Sequence, residues 1–269
     1  MTLCIAAPCT DGKKPYIVIS SDWKAEMGDV AGAEIQNKLY WLYEDNWPVL
    51  ISNTASNALA LIGTYRETFQ KRGLTKANIY DRLAAPPLKY KEKRIDAYVQ
   101  ARIGKTYEYF RTHSSEFDET TRNDVWNDIK KLKLGCDFIL STFIDGDPFV
   151  FLMDGDTCEV HRDENFLAIG TGATVATSVL CFRGQNEDMS VAETLYNVYE
   201  ATRFAYKSRV PGVGKLHAFS VIYPGKRGKI VAMSLRNRGI KLLEDQFTKT
   251  GPRKLSKDFT IPFDALEKY

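Results

Sequence analysis

The sequence lacks the features that mark membrane, nucleic-acid-binding and metal-binding proteins. It has no run of about 18 apolar residues that could span a bilayer. Its 37 basic and 34 acidic side chains leave a net charge of +3, which is too balanced for an electrostatic footprint on nucleic acid or an anionic membrane. Its three histidines, His113, His161 and His217, are scattered without ligand spacing, so we predict no metal and no other cofactor.

Cysteine pairs with redox or zinc-finger spacing are missing as well. The five cysteines are an odd number without a CxxC motif, which is typical of reduced thiols in the cytoplasm. We expect most of them to be packed in the core; they are Cys4, Cys9, Cys136, Cys158 and Cys181. No charged-then-apolar leader is present, so we expect no signal peptide and a mature chain that begins at residue 1 or 2.

What the sequence does contain is the composition of an ordinary globular protein, within which an enzyme would fit. Its 269 residues are 44% hydrophobic and 26% charged, enough for one domain, 1–269, with a sizeable core. Periodicity and turn signals predict grouped strands with helices between them, which favours an α+β layer architecture. After the first four strands, we predict helices at 54–71, 173–182 and 191–206 and strands at 136–144, 149–153, 167–169, 218–223 and 230–235.

Two other segments are defined mainly by composition. Residues 75–134 are charged and helical in pattern, with an interruption expected at Pro86 and Pro87. Residues 240–269 form a polar C-terminal extension. We found no internal repeat.

Two predicted hairpins bring candidate functional residues together. Asp11 and Gly12 separate the first two strands, and a turn centred near Gly12 pairs residues whose numbers sum to about 24, which sets Thr2 opposite Asp22. Strands at 35–43 and 48–52 flank a second turn near Asp45, where partners sum to about 90. This places Lys38 opposite Ser52 and brings the backbone of Ser52 and Asn53 alongside that lysine.

These residues, placed together, could form a catalytic site. A terminal threonine, once Met1 is removed, carries its own base in the α-amine, which titrates near 8 when unperturbed. The charge of Lys38 would favour the neutral amine, and Asp22 would hold the lysine charged and oriented. Backbone N–H groups of Ser52 and Asn53 are candidates to face a developing oxyanion. Taken singly, each residue is better explained as a turn former or a solvated strand residue; their joint placement favours a site.

The same residues resemble a known family. Met1-Thr2, Ser21-Asp22, Lys38, the Ser-Asn-Thr-Ala-Ser segment at 52–56 and Ile169-Gly170-Thr171-Gly172 are similar to the proteasome β-subunit family of N-terminal-nucleophile hydrolases, and most similar to its bacterial homologues. The resemblance covers about residues 2–72 and 136–235. It implies a four-layer αββα sandwich, threonine peptidase activity with Thr2 as nucleophile and Asp22 and Lys38 as its partners, and a homo-oligomer. It also places Thr171 where the family has an accessory serine.

The sequence departs from that family in three ways. Residues 75–134 form a longer region than the simple bacterial members have, and the tail after about residue 240 is additional. The other two departures concern the site. The glycine usual at the oxyanion turn is replaced within Ile51-Ser52-Asn53, and the usual accessory aspartate is missing, with Ser208 the nearest polar residue. Three functions therefore stay open: a threonine peptidase that acts on peptides or unfolded proteins, with or without an ATPase partner; a non-catalytic structural or binding subunit; and an amidase that acts on non-peptide amides. None of them involves nucleic acid or a membrane.

Overall fold

The computed structural model describes residues 2–22, 38–43, 46–53, 55–69, 75–163, 165–250, 260–262 and 266–268. Within them the chain forms two antiparallel sheets and seven α-helices, which confirms the predicted mixture of strands and helices. None of the described helices combines the length and apolar character needed to cross a membrane.

The elements follow one another in a strand-rich, then helical, then strand-rich order. The strands are β1 Cys4–Asp11, β2 Lys14–Asp22, β3 Leu39–Tyr43, β4 Asn46–Asn53, β5 Cys136–Ile144, β6 Asp147–Asp154, β7 Val160–Asp163, β8 Leu167–Ile169, β9 His217–Pro224, β10 Ile230–Leu235 and β11 Leu266–Lys268. The α-helices are α1 Ala55–Thr68, α2 Ile79–Ile103, α3 Tyr107–Thr112, α4 Glu119–Lys131, α5 Ala173–Arg183, α6 Val191–Lys207 and α7 Asn237–Thr250.

The two sheets have different strand orders. The first sheet runs β11-β10-β9-β2-β1-β8, and the second runs β3-β4-β5-β6-β7. The first sheet therefore places β2 between β1 and β9, so the end of β2 has a neighbour from the start of the chain and another from its last quarter. The functional candidates lie at this end of β2.

Both hairpins form, with registers one residue away from the predicted ones. Asp11 pairs with Lys14, and the register continues to Cys4 opposite Ser21, so Asp22 N–H donates to the carbonyl of Leu3 rather than facing Thr2 directly. The turn is centred between two residues instead of on Gly12, which accounts for the shift.

The second hairpin shows the same shift. Tyr43 pairs with Asn46 and Leu39 with Leu50. Lys38 therefore lies opposite Ile51, and the N–H of Ile51 donates to the carbonyl of Lys38. The predicted partner of Lys38, Ser52, is one residue further along. A shift of one residue matters in a strand because successive side chains point to opposite faces.

Three apolar clusters stack the elements in layers. One cluster joins the inner faces of the two sheets through Cys4, Ile17, Ile19, Leu50, Ile139 and Val150. A second joins the outer face of the first sheet to α5, α6 and α7 through residues that include Ile5, Leu180, Leu195 and Leu243. A third joins the second sheet to α1 and α2, with Leu61, Leu83 and Phe138. Helices thus cover the outer face of each sheet, an α+β sandwich.

The predicted helix interruption at Pro86 and Pro87 is wrong, because α2 runs through both residues. A proline has no N–H to donate to the carbonyl four residues earlier, so Pro87 leaves the carbonyl of Leu83 without its helical partner. The buried hydroxyl of Tyr65 on α1 donates to that carbonyl at 2.7 Å. A side chain from a neighbouring helix thereby supplies the bond that the proline removes.

The C-terminal segment is more ordered than a polar extension suggests. The helix α7 buries Leu243 in the cluster on the outer face of the first sheet. The strand β11 pairs with β10, with Met233 opposite Lys268, and adds a sixth strand to the first sheet. Sequence periodicity predicted neither element.

The bond between Tyr65 and Leu83 gives a stability prediction. Tyr65→Phe keeps the buried ring but leaves the Leu83 carbonyl unpaired, so we expect a loss of about 1–3 kcal/mol in the free energy of unfolding. Tyr80→Phe is the control, because Tyr80 is 39% exposed and only its ring makes a described contact, with Phe151. Denaturant unfolding that found both variants as stable as the unmodified protein would contradict this role.

Candidate active site

The carboxylate of Asp22, the last residue of β2, is the centre of the site. It is fully buried, and its Oδ1 accepts hydrogen bonds from Thr2 Oγ1 at 2.6 Å, Lys38 Nζ at 2.6 Å and Leu3 N at 3.1 Å. Its Oδ2 accepts from the backbone N–H of Gly214 at 3.0 Å. Four donors from three parts of the chain therefore converge on one buried carboxylate.

Thr2 and Lys38 are nearly as buried as Asp22. Thr2 is 1% exposed and Lys38 is 6% exposed. Because the threonine hydroxyl and the lysine ammonium share Asp22 Oδ1, they lie within twice 2.6 Å of each other. The attraction between Lys38 and Asp22 is stronger here than it would be in water, since the surrounding dielectric is low. The pair places a positive charge beside the threonine hydroxyl without leaving a net charge in the interior.

The segment after β8 fixes the backbone of Thr2. Gly170 has a φ of +92°, and a Cβ built on it would lie 2.2 Å from the Thr2 carbonyl oxygen, so only glycine fits there. That carbonyl accepts from the N–H of Gly172 at 3.3 Å and from Thr171 Oγ1 at 3.4 Å. The single proton of the Thr171 hydroxyl is shared with a nearer acceptor, the carbonyl of Pro211 at 3.0 Å. Thr171 thus contacts the backbone of Thr2, as part of a turn that clamps it.

Ser52 and Asn53 lie at the end of β4 and make their side-chain bonds elsewhere. Asn53 Nδ2 donates to Asp137 Oδ2 at 3.0 Å, and Ser52 Oγ lies 3.5 Å from the same oxygen. Burial raises the pKa of Asp137 above its ordinary value. Their link to the site runs through Ile51, whose carbonyl lies 3.5 Å from the Cys4 sulfur two residues after Thr2. The structure describes no hydrogen bond between Thr2 and either residue.

Cys4 is a packed thiol, as predicted. It is fully buried, and burial raises its pKa far above the ordinary value, with the nearby charge of Asp22 acting in the same direction. A thiol held in its protonated form is a weak nucleophile. Cys4 therefore does not compete with Thr2 for the nucleophilic role.

His217 and Gly214 belong to this site, although no sequence pattern selected them. His217 begins β9 and pairs with Asp22 across the sheet. Its Nε2 lies 3.0 Å from the carbonyl oxygen of Gly214, the residue whose N–H donates to Asp22. Burial lowers the pKa of His217 to about 4, with Asp22 opposing the shift. Ser208, the polar residue that the sequence suggested for this region, is exposed at the end of α6.

Comparison with known proteins leaves the interpretation of the site to its geometry. No protein-family model matches the sequence, and no curated protein matches it. Within the described residues, no three histidine, cysteine, aspartate or glutamate side chains form a cluster that could hold a metal ion. The arrangement is that of a buried hydroxyl beside a carboxylate–ammonium pair.

The close approach of Gly170 to Thr2 gives a second prediction. Gly170→Ala forces a Cβ against the Thr2 carbonyl, so we expect lower stability and a displaced Thr2, visible in a crystal structure of the variant. Gly146→Ala is the matched control, because Gly146 has a similar φ of +89° with nothing within 4 Å of its Cβ position. Both variants share the cost of placing alanine at positive φ, about 1–3 kcal/mol. Equal destabilisation by both, with Thr2 unmoved, would contradict the clamp.

The pKa of His217 gives a prediction on acid stability. An unfolded chain protonates this histidine near pH 6.5, whereas the folded protein does so only near pH 4. Its contribution to stability is therefore complete above pH 6.5 and is lost as the pH falls to 4, by at most about 3 kcal/mol. Urea unfolding at pH 7 and pH 4.5 measures the loss. His217→Gln should reduce the difference between the two pH values, and an unchanged difference would contradict the shift.

Proposed function

We propose that this protein is a threonine-dependent N-terminal-nucleophile hydrolase that cleaves amide bonds, with a proteasome-like fold. The observation that carries the proposal is the shared oxygen: Thr2 Oγ1 and Lys38 Nζ both bond to Asp22 Oδ1 in a buried site. A hydroxyl so placed lies next to a positive charge that stabilises its deprotonated form. The order of layers, with helices covering the outer face of each of two stacked sheets, is consistent with the proposed family.

The reaction requires that Thr2 carry a free amine. In the first step the amine takes the proton of the hydroxyl as Oγ1 attacks the amide carbonyl, and the charge of Lys38 favours both the neutral amine and the forming alkoxide. The protonated amine then gives its proton to the leaving nitrogen, and the C–N bond breaks to leave an ester on Thr2. Water, deprotonated by the same amine, hydrolyses the ester and restores the hydroxyl.

We propose that the end of β4, the strand next to Lys38, stabilises the oxyanion. The backbone N–H groups of Ser52 and Asn53 are our candidates, because β4 reaches the site through Ile51 and Cys4. One well-placed donor in such a site contributes about 3–4 kcal/mol to transition-state stabilisation. Thr171 holds the Thr2 carbonyl and so orients the nucleophile rather than taking part in proton transfer.

We propose peptides or unfolded polypeptides as substrates, a cytoplasmic homo-oligomer as the working form, and an ATPase as a candidate partner. These assignments rest on the resemblance of the sequence to proteasome β-subunits. The site itself supports the reaction class, because it contains a candidate nucleophile and its charged partners. It does not distinguish peptide from non-peptide amides as substrates.

A non-catalytic subunit is the second candidate, and the burial of Thr2 favours it. At 1% exposure the hydroxyl is not reachable by a substrate in the conformation described. The hydrolase requires that processing of the chain start uncover Thr2, whereas a structural subunit requires no such change. The bond to Asp22 would then serve only to satisfy a buried hydroxyl.

Processing and labelling distinguish the two candidates. For the hydrolase we expect an intact mass without Met1, a covalent adduct of an epoxyketone or boronate probe mapped to Thr2, and turnover of fluorogenic peptide amides. Thr2→Ala should abolish the adduct and lower kcat by at least about 1000-fold, as loss of a nucleophile does in other hydrolases. Thr10→Ala, at the far end of β1, is the control and should retain both.

Two results would remove the hydrolase proposal. Active protein that retains Met1 leaves Thr2 without a free amine. Full activity in Thr2→Ala leaves the reaction without the proposed nucleophile. Absence of both adduct and turnover, in protein that has lost Met1, would favour the non-catalytic subunit.

A further inference from the structure

Both carboxylate oxygens of Asp22 accept hydrogen bonds, and the donors to the two oxygens come from different parts of the chain. Oδ1 receives the groups that matter to the proposed reaction, Thr2 and Lys38. In the described part of the chain, Oδ2 has one donor, the N–H of Gly214, 192 residues away in sequence. The direction of that N–H therefore helps set the rotation of the carboxylate, and with it the placement of the Thr2 hydroxyl.

Gly214 lies on a short loop between α6 and β9, and His217 bonds back to it. The Nε2 of His217 is 3.0 Å from the Gly214 carbonyl oxygen. A carbonyl only accepts, so Nε2 must carry a proton. Because burial keeps the imidazole neutral down to about pH 4, Nδ1 is then the unprotonated nitrogen. Both backbone polar groups of Gly214 are therefore bonded: its N–H donates to Asp22, and its carbonyl accepts from His217.

The surroundings of the imidazole favour this one protonation state. Its Nδ1 is buried and has no hydrogen-bond partner among the described residues, so none of them would accept a second proton there. The ring borders a cavity of about 280 Å³ whose charged lining residues are Arg203, Lys215 and Glu244. Lys38 and Arg203 disfavour a charge on the ring, whereas Asp22 favours one.

We propose that His217 is a positioning residue of this site: its Nε2–H holds the Gly214 carbonyl and thereby aims the Gly214 N–H at Asp22. The proposal deepens the hydrolase assignment and rests on it for its kinetic consequences. A proteasome-like accessory aspartate is missing from the segment before β9. The histidine at the start of β9 supplies a different means of fixing the same region against Asp22.

The kinetic test compares two substitutions at one position. His217→Phe keeps an aromatic ring but removes the donor, and we expect kcat on a fluorogenic peptide amide to fall by about 10- to 100-fold with KM changed little, as small misplacements of reacting groups do. His217→Gln keeps an N–H near the position of Nε2 and should stay within about threefold of the unmodified enzyme. His161→Gln is the control, because the His161 side chain is exposed and, among the described residues, its ring contacts Glu159 and not the site.

A second measurement does not depend on turnover. The chain has three histidines and 18 glycines, so selective ¹⁵N labelling of either type gives few signals, and comparison with His217→Gln assigns the His217 ring. We expect a neutral ring protonated on Nε2 throughout the range from pH 7 to pH 5. We also expect His217→Phe to move the Gly214 amide resonance upfield, as a weakened hydrogen bond does, and His217→Gln to leave it in place.

The two measurements fail separately. Protonation of Nδ1 instead of Nε2, titration of the ring near its ordinary pKa, or an unmoved Gly214 resonance in His217→Phe would overturn the positioning role. So would wild-type kcat in His217→Phe, or equal damage from both substitutions in folded protein. If the unmodified protein neither turns over amides nor reacts with a threonine-directed probe, the hydrolase proposal fails, and the labelling result alone then decides whether His217 positions Gly214.

Discussion

The structure around the site depends on one buried carboxylate. Removing Asp22 from water carries a desolvation penalty of several kcal/mol, which is tolerated only where a counter-charge and hydrogen-bond donors surround the group. Lys38 supplies the charge, and Thr2, Leu3 and Gly214 supply further donors. The four donors come from three segments, so the chain start, the residue before β3 and the loop before β9 must all meet at the end of β2. The site can therefore form only when these parts of the fold are in place.

The stacking of the two sheets is what allows Lys38 to reach Asp22. Asp22 ends a strand of the first sheet, and Lys38 precedes the first strand of the second. The apolar cluster between the sheets holds them face to face, with Cys4 and Ile17 on one side and Leu50 and Ile139 on the other. The hydrophobic effect is not directional, but it fixes the separation at which a long lysine side chain spans from one sheet to the other.

Close backbone contacts complete the site. Gly170 approaches the Thr2 carbonyl where a Cβ has no room, and Thr171 bonds to that carbonyl and to Pro211. These contacts join the turn after β8 to the loop before β9 across the backbone of Thr2. The threonine is thus fixed by its main chain as well as by its hydroxyl. A fixed hydroxyl beside a buried ion pair suits a nucleophile, and full burial of the same residue explains why uncovering it is the decisive step in the proposed reaction.

The sequence by itself determined many of the local elements, although not α7 or β11. Asp145 and Gly146 both have the positive φ of a two-residue hairpin turn, and β5, β8 and β10 have the predicted bounds, because strand periodicity and turn chemistry are properties of neighbouring residues. The proximity of Thr2 and Asp22 was predicted from the first hairpin alone. The prediction was correct although the predicted register was wrong by one residue. Only the tertiary structure decided the rest. Tyr65 allows α2 to continue through Pro87, and the pairing of β9 with β2 brings His217 and Gly214 to Asp22. Such contacts join residues far apart in the chain, and they depend on how the layers pack, which no local pattern specifies.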